Sequence, residues 1–215
     1  WNYGASIDQH FHIGELKGNL IVDYYRTDFD NQLVADMESP TTIRFYNLKG
    51  KAFANSFQAE INLQPAKRFD IKLAYRLFDV KQTTTTLTGQ NDLIPKMMIN
   101  RDRILFNAGY ALPYDKWKFD GTVQWNGKRR LPHLMSESAH HHTDMSDIGF
   151  ENAPAFVNIN AQITRTFPKI DVYVGGENLN NFRQKNPILG AYDPFGKTFD
   201  AGMVWGPVSG RMIYA

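Results

Sequence analysis

Apolar residues recur at every second position along most of this chain. Within residues 1–13, 53–63 and 69–77, apolar side chains alternate with polar ones. An extended strand points successive side chains to opposite faces, whereas an amphipathic helix repeats every 3.6 residues or so. Helical periodicity is absent from these segments. The sequence therefore predicts an all-β chain whose strands each have one apolar and one polar face.

The same pattern predicts about nine strands. They cover residues 1–13, 19–33, 53–63, 69–77, 104–112, 117–127, 155–167, 170–182 and 199–215. Short turns at 14–18, 64–68, 113–116 and 167–169 alternate with long polar loops at 34–44, 82–100, 128–154 and 183–198. Tight turns at one end and long loops at the other are typical of a transmembrane antiparallel up-and-down β-barrel.

Strand length and side-chain distribution favour the same architecture. A tilted strand of about 9 to 11 residues crosses a bilayer, and most of the predicted strands reach that length. Aromatic residues that would form an interfacial girdle gather beside the short turns: Phe11, Phe69, Tyr110, Tyr114, Trp117, Phe119 and Phe167. Neutral residues suited to a wet lumen alternate along one strand: Asn158, Asn160, Gln162, Thr164 and Thr166. The alternative is a soluble β-domain whose hairpin aromatics pack into a core.

Composition excludes several other classes of protein. No apolar run reaches the roughly 18 residues that a transmembrane helix needs. The 24 Lys and Arg residues nearly balance the 22 Asp and Glu residues, so a nucleic-acid partner is not expected. The absence of cysteine removes disulfides, thiolate catalysis and cysteine-ligated metal sites.

Closure of the barrel predicts that this chain is a piece of a larger one. An antiparallel meander with an odd number of strands cannot close, because its first and last strands would run parallel. Two open edges within lipid would leave backbone groups without hydrogen-bond partners, at a cost of several kcal/mol each. We therefore expect the remaining strands to come from elsewhere in the same protein.

The C-terminal residues resemble those of a known family. The segment 175–182, Gly-Gly-Glu-Asn-Leu-Asn-Asn-Phe, resembles a strand-end signature of TonB-dependent outer-membrane receptors. The segments 193–196, 199–201, 204–207 and 210–214 resemble the last loop and final strand of Bacteroidetes-type members. Residues 23–29 also resemble a barrel strand of that group. The motif positions are Asn178, Leu179, Phe182, Pro194, Phe195, Gly196, Trp205, Gly206, Gly210 and Arg211.

The resemblance implies a bacterial outer-membrane protein in which residues 1–215 are the C-terminal part of a plugged barrel of about 22 strands. Nothing in the chain resembles the family's plug domain or energy-coupling box, and we expect both in another part of the receptor. The chain stops at Ala215, where the family normally ends on an aromatic residue. The implied partners are the rest of the barrel, the plug, the TonB energy-coupling complex, outer-membrane lipid and lipopolysaccharide.

The implied function is energy-coupled import without covalent chemistry or a cofactor. The expected ligand is a metal chelate such as a siderophore, or another metal or cobalamin complex. One alternative is a receptor of the same architecture that imports glycans, with Tyr192 and Phe195 as stacking residues. Another is an outer-membrane barrel enzyme, although no nucleophile with an activating base is evident in the sequence.

A histidine-rich loop is the sharpest candidate metal site. Its candidate ligands for zinc, copper or nickel are His133, His140, His141, His142, Asp144 and Asp147. Because these residues lack a fixed ligand spacing, the alternative is a solvated loop that binds metal adventitiously.

Three further groups are weaker candidates. Lys128, Arg129 and Arg130 open the same loop and are expected to attract anionic chelates or lipopolysaccharide phosphates, or else to form a solvated rim. The period of two places the imidazoles and carboxylate of the first strand on one face, where contact with a plug is favoured over metal binding or catalysis: Asp8, His10 and His12. Two methionines are predicted to pack against neighbouring loops rather than to line a ligand patch: Met97 and Met98.

Overall fold

The computed structural model describes residues 1–37, 43–85, 91–131, 152–188, 190–196 and 199–215. Within those ranges the chain is built almost entirely of β-strands. The strands are β1 (Asn2–Ile13), β2 (Leu16–Phe29), β3 (Leu33–Asp36), β4 (Arg44–Asn47), β5 (Ala52–Ala66), β6 (Phe69–Thr85), β7 (Asn91–Pro95), β8 (Asp102–Ala111), β9 (Trp117–Asn126), β10 (Arg129–Arg130), β11 (Asn152–Ala153), β12 (Phe156–Thr166), β13 (Asp171–Glu177) and β14 (Met212–Tyr214). One 3₁₀ turn, Pro113–Asp115, lies between β8 and β9. In the described part of the chain, no helix is long and apolar enough to cross a membrane.

One open antiparallel sheet contains most of the strands. Its order is β1-β2-β5-β6-β8-β9-β12-β13-β14, and β7 pairs with the far end of β6. Neighbouring strands of this path are consecutive along the chain, apart from the short strands of the long connections, which are β3, β4, β7, β10 and β11. The nine strands of the path confirm the predicted number and the up-and-down topology, and the sheet is not closed.

The register aligns the period of two across the whole sheet. Ile7 of β1 begins a row of direct cross-strand partners that continues through Val22, Ala59, Tyr75, Ile104, Trp125 and Val157. The adjacent row contains Ser6, Asp23, Gln58, Arg76, Arg103, Asn126 and Phe156. Successive residues of a strand face opposite sides, so one side of the sheet is apolar and the other mostly polar. We call them the apolar face and the polar face.

Among the described residues, none forms a second layer packed on the apolar face. Side chains from its middle remain largely exposed, among them Ile7 at 66%, Leu73 at 45% and Phe106 at 41%. Apolar area of this extent is unfavourable in water, and a bilayer removes that cost. The fold therefore has the two-sided character of a transmembrane barrel wall.

The four short connections lie at one end of the sheet. A two-residue turn joins β1 to β2, and its Gly14 has a φ of 60°. Aromatic side chains gather at this end, with the Phe69 and Tyr110 rings 6.2 Å apart on the apolar face. The Arg165 guanidinium lies 4.8 Å from the centre of the Trp117 ring and 5.4 Å from that of Phe167. These contacts fit the aromatic girdle expected beside the turns.

The long connections are more ordered than the sequence predicts. Within 34–44, strands β3 and β4 form a hairpin of their own. Within 82–100, β6 continues to Thr85 and pairs with β7, because the three threonines at 83–85 are β-branched and favour a strand. Within 128–154, β10 pairs with β11.

Two of the predicted strands are too long. The strand predicted over 170–182 ends at Glu177, and the one predicted over 199–215 is confined to Met212–Tyr214. Asn178 and Asn181 adopt left-handed φ values of 52° and 55°, which end the extended conformation. Residues 199–211 contain three glycines and Pro207, which has no N–H to donate to a ladder.

Candidate functional site

The segment 178–211 folds over the polar face, and Asn178 is its anchor. The Asn178 backbone N–H donates to Asn160 Oδ1 on β12 at 3.0 Å. Its side-chain amide donates to the carbonyls of Phe182 at 2.8 Å and Ser209 at 3.2 Å, while its Oδ1 accepts from the Phe182 N–H at 2.9 Å. A single buried asparagine thus joins the start and the end of this segment.

Neighbouring motif residues repeat this arrangement. Asn180 Nδ2 donates to the Val157 carbonyl at 2.8 Å, and its Oδ1 accepts from the Ile159 N–H at 3.2 Å. The Arg211 side chain donates to the Leu179 carbonyl at 2.9 Å. Asparagine amides imitate backbone groups and tolerate the left-handed region, which gives this Asn-rich signature a structural reason.

An aromatic cluster covers the polar face above β12. Phe156 and Phe182 are stacked with ring centroids 5.0 Å apart at an angle of 12°. Trp205 packs against both, at 6.1 Å from Phe156 and 6.3 Å from Phe182. A side chain on Gly206 would bring a Cβ to 3.3 Å from Phe182, so this position favours glycine.

Gln184 holds the backbone that carries Trp205. Its Oε1 accepts from the N–H groups of Trp205 at 2.7 Å and Gly206 at 3.0 Å, and its Nε2 donates to the Met203 carbonyl at 2.5 Å. Gln184 and Met203 are only 6% and 4% exposed. This side chain replaces the ladder that the predicted final strand would have supplied.

Arg76 and Arg103 lie side by side on the polar face, and together with Arg129 we call them the arginine cluster. Arg76 of β6 and Arg103 of β8 are direct cross-strand partners. Arg129 begins β10 and forms an isolated bridge with Asn100, whose side chain donates to the Gly127 carbonyl at 2.5 Å. Burial, together with the charge of Arg103, lowers the pKa of Arg129 below its usual value. The cluster is a site of concentrated positive charge.

The predicted basic trio is divided between different environments. Lys128 is exposed, whereas Arg129 joins the arginine cluster. Arg130 Nε donates to the Pro95 carbonyl at 2.7 Å and its Nη1 to the Leu131 carbonyl at 3.3 Å, while its own carbonyl accepts from the Met98 N–H at 2.8 Å. Arg130 therefore ties β10 to the connection after β7.

The remaining predicted residues fall into separate places. Tyr192 is 72% exposed and Phe195 fully exposed. The histidine-loop residues lie outside the described part of the chain: His133, His140, His141, His142, Asp144 and Asp147.

His10 Nε2 lies 3.6 Å from Asp8 Oδ2, and His12 shares the polar face beside them. Among the described residues, no group of three or more His, Asp or Glu side chains is placed to hold a metal ion. Met97 and Met98 are half-buried.

Sequence reasoning missed four residues that organise the polar face: Arg76, Arg103, Phe156 and Gln184. The alternation in β6 does place Arg76 on the polar side of its strand. The pattern does not give the register, however, and so it does not bring Arg76 beside Arg103. No local signal marks Phe156 or Gln184, because their partners come from distant segments.

Comparison with known proteins agrees with this architecture. Residues 1–179 match the family described as TonB dependent receptor-like, beta-barrel. No curated protein is significantly similar to the chain in sequence. Solved structures with a similar fold are identified by shape at low sequence identity, so they bear on the fold alone.

Three of these structures are receptors for iron complexes. The closed form of the ferric-catecholate import receptor Fiu from E. coli K12 matches with a TM-score of 0.58 at 10% identity, covering 99% of this chain and 26% of that chain. The ferripyoverdine receptor of Pseudomonas aeruginosa bound to ferripyoverdine gives 0.56 at 15% identity, with coverages of 99% and 26%. The Q482A mutant of the ferric enterobactin receptor from P. aeruginosa, in complex with enterobactin, gives 0.60 at 15% identity, with coverages of 99% and 30%. The chain thus spans less than a third of the length of each.

Proposed function

Because this chain belongs to the β-barrel family of TonB-dependent receptors, which lie in the bacterial outer membrane, we propose that it is part of the wall of a receptor that imports a metal chelate such as a siderophore. The observation that carries the proposal is the two-faced open sheet. The chain that forms it aligns over 99% of its length with the structures of the ferric-catecholate, ferripyoverdine and ferric enterobactin receptors. The apolar face meets lipid, and the polar face meets the interior through which the ligand passes.

The domain assignment is part of the proposal. Residues 1–215 contribute nine neighbouring wall strands and the loops at their long-loop end. Both edges of the sheet, β1 and β14, pair with further strands of the same receptor, because an unpaired edge in lipid is costly. The plug, and through it the TonB energy-coupling complex, acts on the ligand from the polar side. Lipid and the acyl region of lipopolysaccharide cover the apolar face.

The proposed role involves no covalent chemistry. The chain binds and orients a ligand and supplies part of the path, while the energy comes from the coupling complex. The basic residues Lys128 and Arg129, at the long-loop end of β9, attract an anionic chelate before it enters the barrel. No resident cofactor is required for this role, and the metal is cargo.

A second candidate, import of glycans, is favoured by one observation. Tyr192 is 72% exposed and Phe195 is fully exposed in the segment after β13. Exposed aromatic rings are suited to stacking on the apolar faces of sugars.

Uptake by cells that depend on the full-length receptor tests the two candidates together. The cells are given radioactive iron as a ferric catecholate complex or as a ferric hydroxamate complex, and in parallel a fluorescent maltooligosaccharide. TonB-dependent accumulation of iron from either complex supports chelate import. Accumulation of the oligosaccharide alone, reduced in the double variant Tyr192→Ala, Phe195→Ala, would instead establish the glycan function.

The histidine loop remains a proposed metal-binding element. Three adjacent imidazoles with two nearby carboxylates suit zinc or copper. Replacement of His140, His141 and His142 by alanine is expected to remove zinc binding measured by calorimetry on the purified receptor. Zinc affinity unchanged by the triple substitution would reject the site.

A further inference from the structure

We propose that Arg76, Arg103 and Arg129 form an oxyanion-binding site inside the barrel, which holds a negatively charged group of the transported ligand. The inference rests on the proposed function, because it specifies the charge and the binding point of the chelate. Neither the family nor the resemblance in the C-terminal segment points to Arg76 or Arg103.

The register places two of these cations side by side. Arg76 and Arg103 occupy directly opposed positions on β6 and β8. Opposed residues in an antiparallel pair have Cβ atoms about 4.5 to 5.5 Å apart, and like charges at such positions destabilise the sheet. Their neighbours in the same row are the uncharged Gln58 and Asn126. The two immediate neighbours therefore provide no charge to offset the repulsion.

The nearby carboxylates are bound to other groups. Glu60 lies on the same face as Arg76 and opposes Ala74, two residues before it. Its carboxylate accepts from Lys72 Nζ at 2.8 Å and from Asn62 Nδ2 at 2.8 Å. Asp23, in the same row as Arg76, accepts from the Ser6 hydroxyl. Across residues 1–37, 43–85, 91–131, 152–188, 190–196 and 199–215, no ion pair involves a member of the arginine cluster. The cluster lacks a counter-ion of its own within the described chain.

In the described part of the chain, two arginines of the cluster also have N–H donors without an acceptor. The Nε atoms of Arg76 and Arg103 are buried, and neither has a hydrogen-bond partner among the described residues. A buried donor without an acceptor costs about 1 to 3 kcal/mol, and more when it is charged. Arg76 has a face-on contact with Phe78, whose ring centre lies 5.4 Å from its Cζ, and this contact orients the guanidinium without neutralising it. An incoming oxyanion would supply both the charge and the acceptors.

Arg129 extends the cluster towards the long-loop end of the sheet. It follows β9 directly, and Asn100 and Ala153 fix its backbone on either side. The bridge between Asn100 and Arg129 continues the register in which Arg103 opposes Asn126, so Arg129 follows the same ladder as Arg103. Burial, together with the charge of Arg103, lowers the pKa of Arg129. The three residues thus lie at the long-loop end of the sheet, where Lys128 is exposed.

The chemistry of the cluster selects the ligand class. A guanidinium presents a planar pair of N–H donors that matches carboxylate, catecholate or phosphate oxygens. Three such groups favour a ligand with several negative charges over a neutral one. An acidic side chain from another part of the receptor would have the same oxyanion chemistry, and the test must separate that source from the ligand.

The test compares two iron complexes on the purified full-length receptor. The anionic probe is the ferric complex of 2,3-dihydroxybenzoate, and the neutral probe is a ferric trihydroxamate. Binding is measured by tryptophan fluorescence quenching for Arg76→Gln and Arg103→Gln. The matched control is Arg26→Gln, since Arg26 lies on the apolar face and is paired with Asp28 at 2.7 Å.

We expect each cluster variant to bind the anionic probe about tenfold or more weakly, which corresponds to one charge-assisted hydrogen bond. Binding of the neutral probe should not change, and the control should bind both probes as the unmodified receptor does. The variants Arg76→Lys and Arg103→Lys keep the charge but lose the planar fork, so an intermediate loss is expected. If the glutamine variants do not fold, the lysine variants still test the proposal, because they keep the positive charge.

The alternative results separate the inference from the proposed function. A receptor that binds only the neutral probe, or binds the anionic probe equally well in all variants, overturns the arginine site and leaves chelate import standing. A receptor that binds neither complex and imports neither overturns both. A melting temperature that falls in the ligand-free cluster variants, with anionic binding unchanged, assigns the cluster to an internal acidic partner and also overturns the inference.

Discussion

Phe156, at the start of β12, stacks on Phe182, which lies beyond the end of β13, with ring centroids 5.0 Å apart and an angle of 12° between the planes. Phe156 is 8% exposed, and Trp205 closes the cluster from a third segment. This stack holds the segment 178–211 over the polar face. It thereby sets the position of the exposed residues Tyr192 and Phe195 within that segment.

Removing one ring of this stack should destabilise the receptor. We expect Phe156→Ala to lower the free energy of unfolding by about 3 kcal/mol, because it leaves a cavity beneath two aromatic rings. The measurement is urea unfolding in lipid vesicles, followed by tryptophan fluorescence. Phe195→Ala serves as control and should change little, since that side chain is fully exposed. Equal losses in the two variants would mean that the stack does not hold the segment.

Asn178 should be the most sensitive asparagine of the C-terminal signature. Replacement by alanine removes three side-chain hydrogen bonds and places at a φ of 52° a residue that tolerates the left-handed region less well than asparagine does. We expect a loss of about 2 to 4 kcal/mol in the same unfolding assay. Asn186→Ala isolates the backbone contribution, because Asn186 has a φ of 47° and is exposed. That control should cost about 1 kcal/mol, and similar values for both positions would discount the hydrogen bonds.

A positive charge should destabilise the receptor on one face of β6 and be tolerated on the other. Leu73→Lys puts an ammonium on the apolar face, where a charge at the bilayer midplane costs about 2 to 4 kcal/mol. Ala74→Lys puts it on the polar face, directly opposite Glu60, and should be close to neutral. The fraction of receptor that folds into vesicles, read from its heat-modifiable gel mobility, distinguishes the two variants. Poor folding of Ala74→Lys together with normal folding of Leu73→Lys would reverse the assignment of the faces.

The turn between β1 and β2 should depend on backbone conformation alone. Gly14 has a φ of 60°, and a Cβ at this position would have no atom within 4 Å. Gly14→Ala is therefore expected to cost about 1 kcal/mol from strain without any clash. Gly14→Asn should cost less, because asparagine tolerates the left-handed region. Comparison of the two unfolding free energies checks the ranking, and equal costs would count against the turn geometry.

The strand count and the two faces were predictable because both depend on local pattern. A period of two is read within a single segment, as in residues 69–77, and does not require knowledge of the partner strand. The length difference between turns and loops is likewise a property of the sequence alone. The signature around Asn178 indicated the family for the same reason, since its residues are contiguous.

The candidate site was predicted less well because it depends on register. Arg129 was identified from its place in a basic run, but its neighbours Arg76 and Arg103 come from two other strands. The strand predicted over 199–215 was wrong for most of its length because Gln184, a residue distant in sequence, bonds the backbone at Trp205 and Gly206.

An all-β chain with one apolar and one polar side, tight turns at one end and long loops at the other follows from the order of the amino acids. The position of Arg76 beside Arg103, and that of Phe156 against Phe182, follows from the packing of the folded chain. The two differ because alternation depends on the geometry of a single strand. Pairing, by contrast, follows from the sum of contacts between segments far apart in the chain, such as the 3.1 Å hydrogen bond from Tyr214 to Gln162.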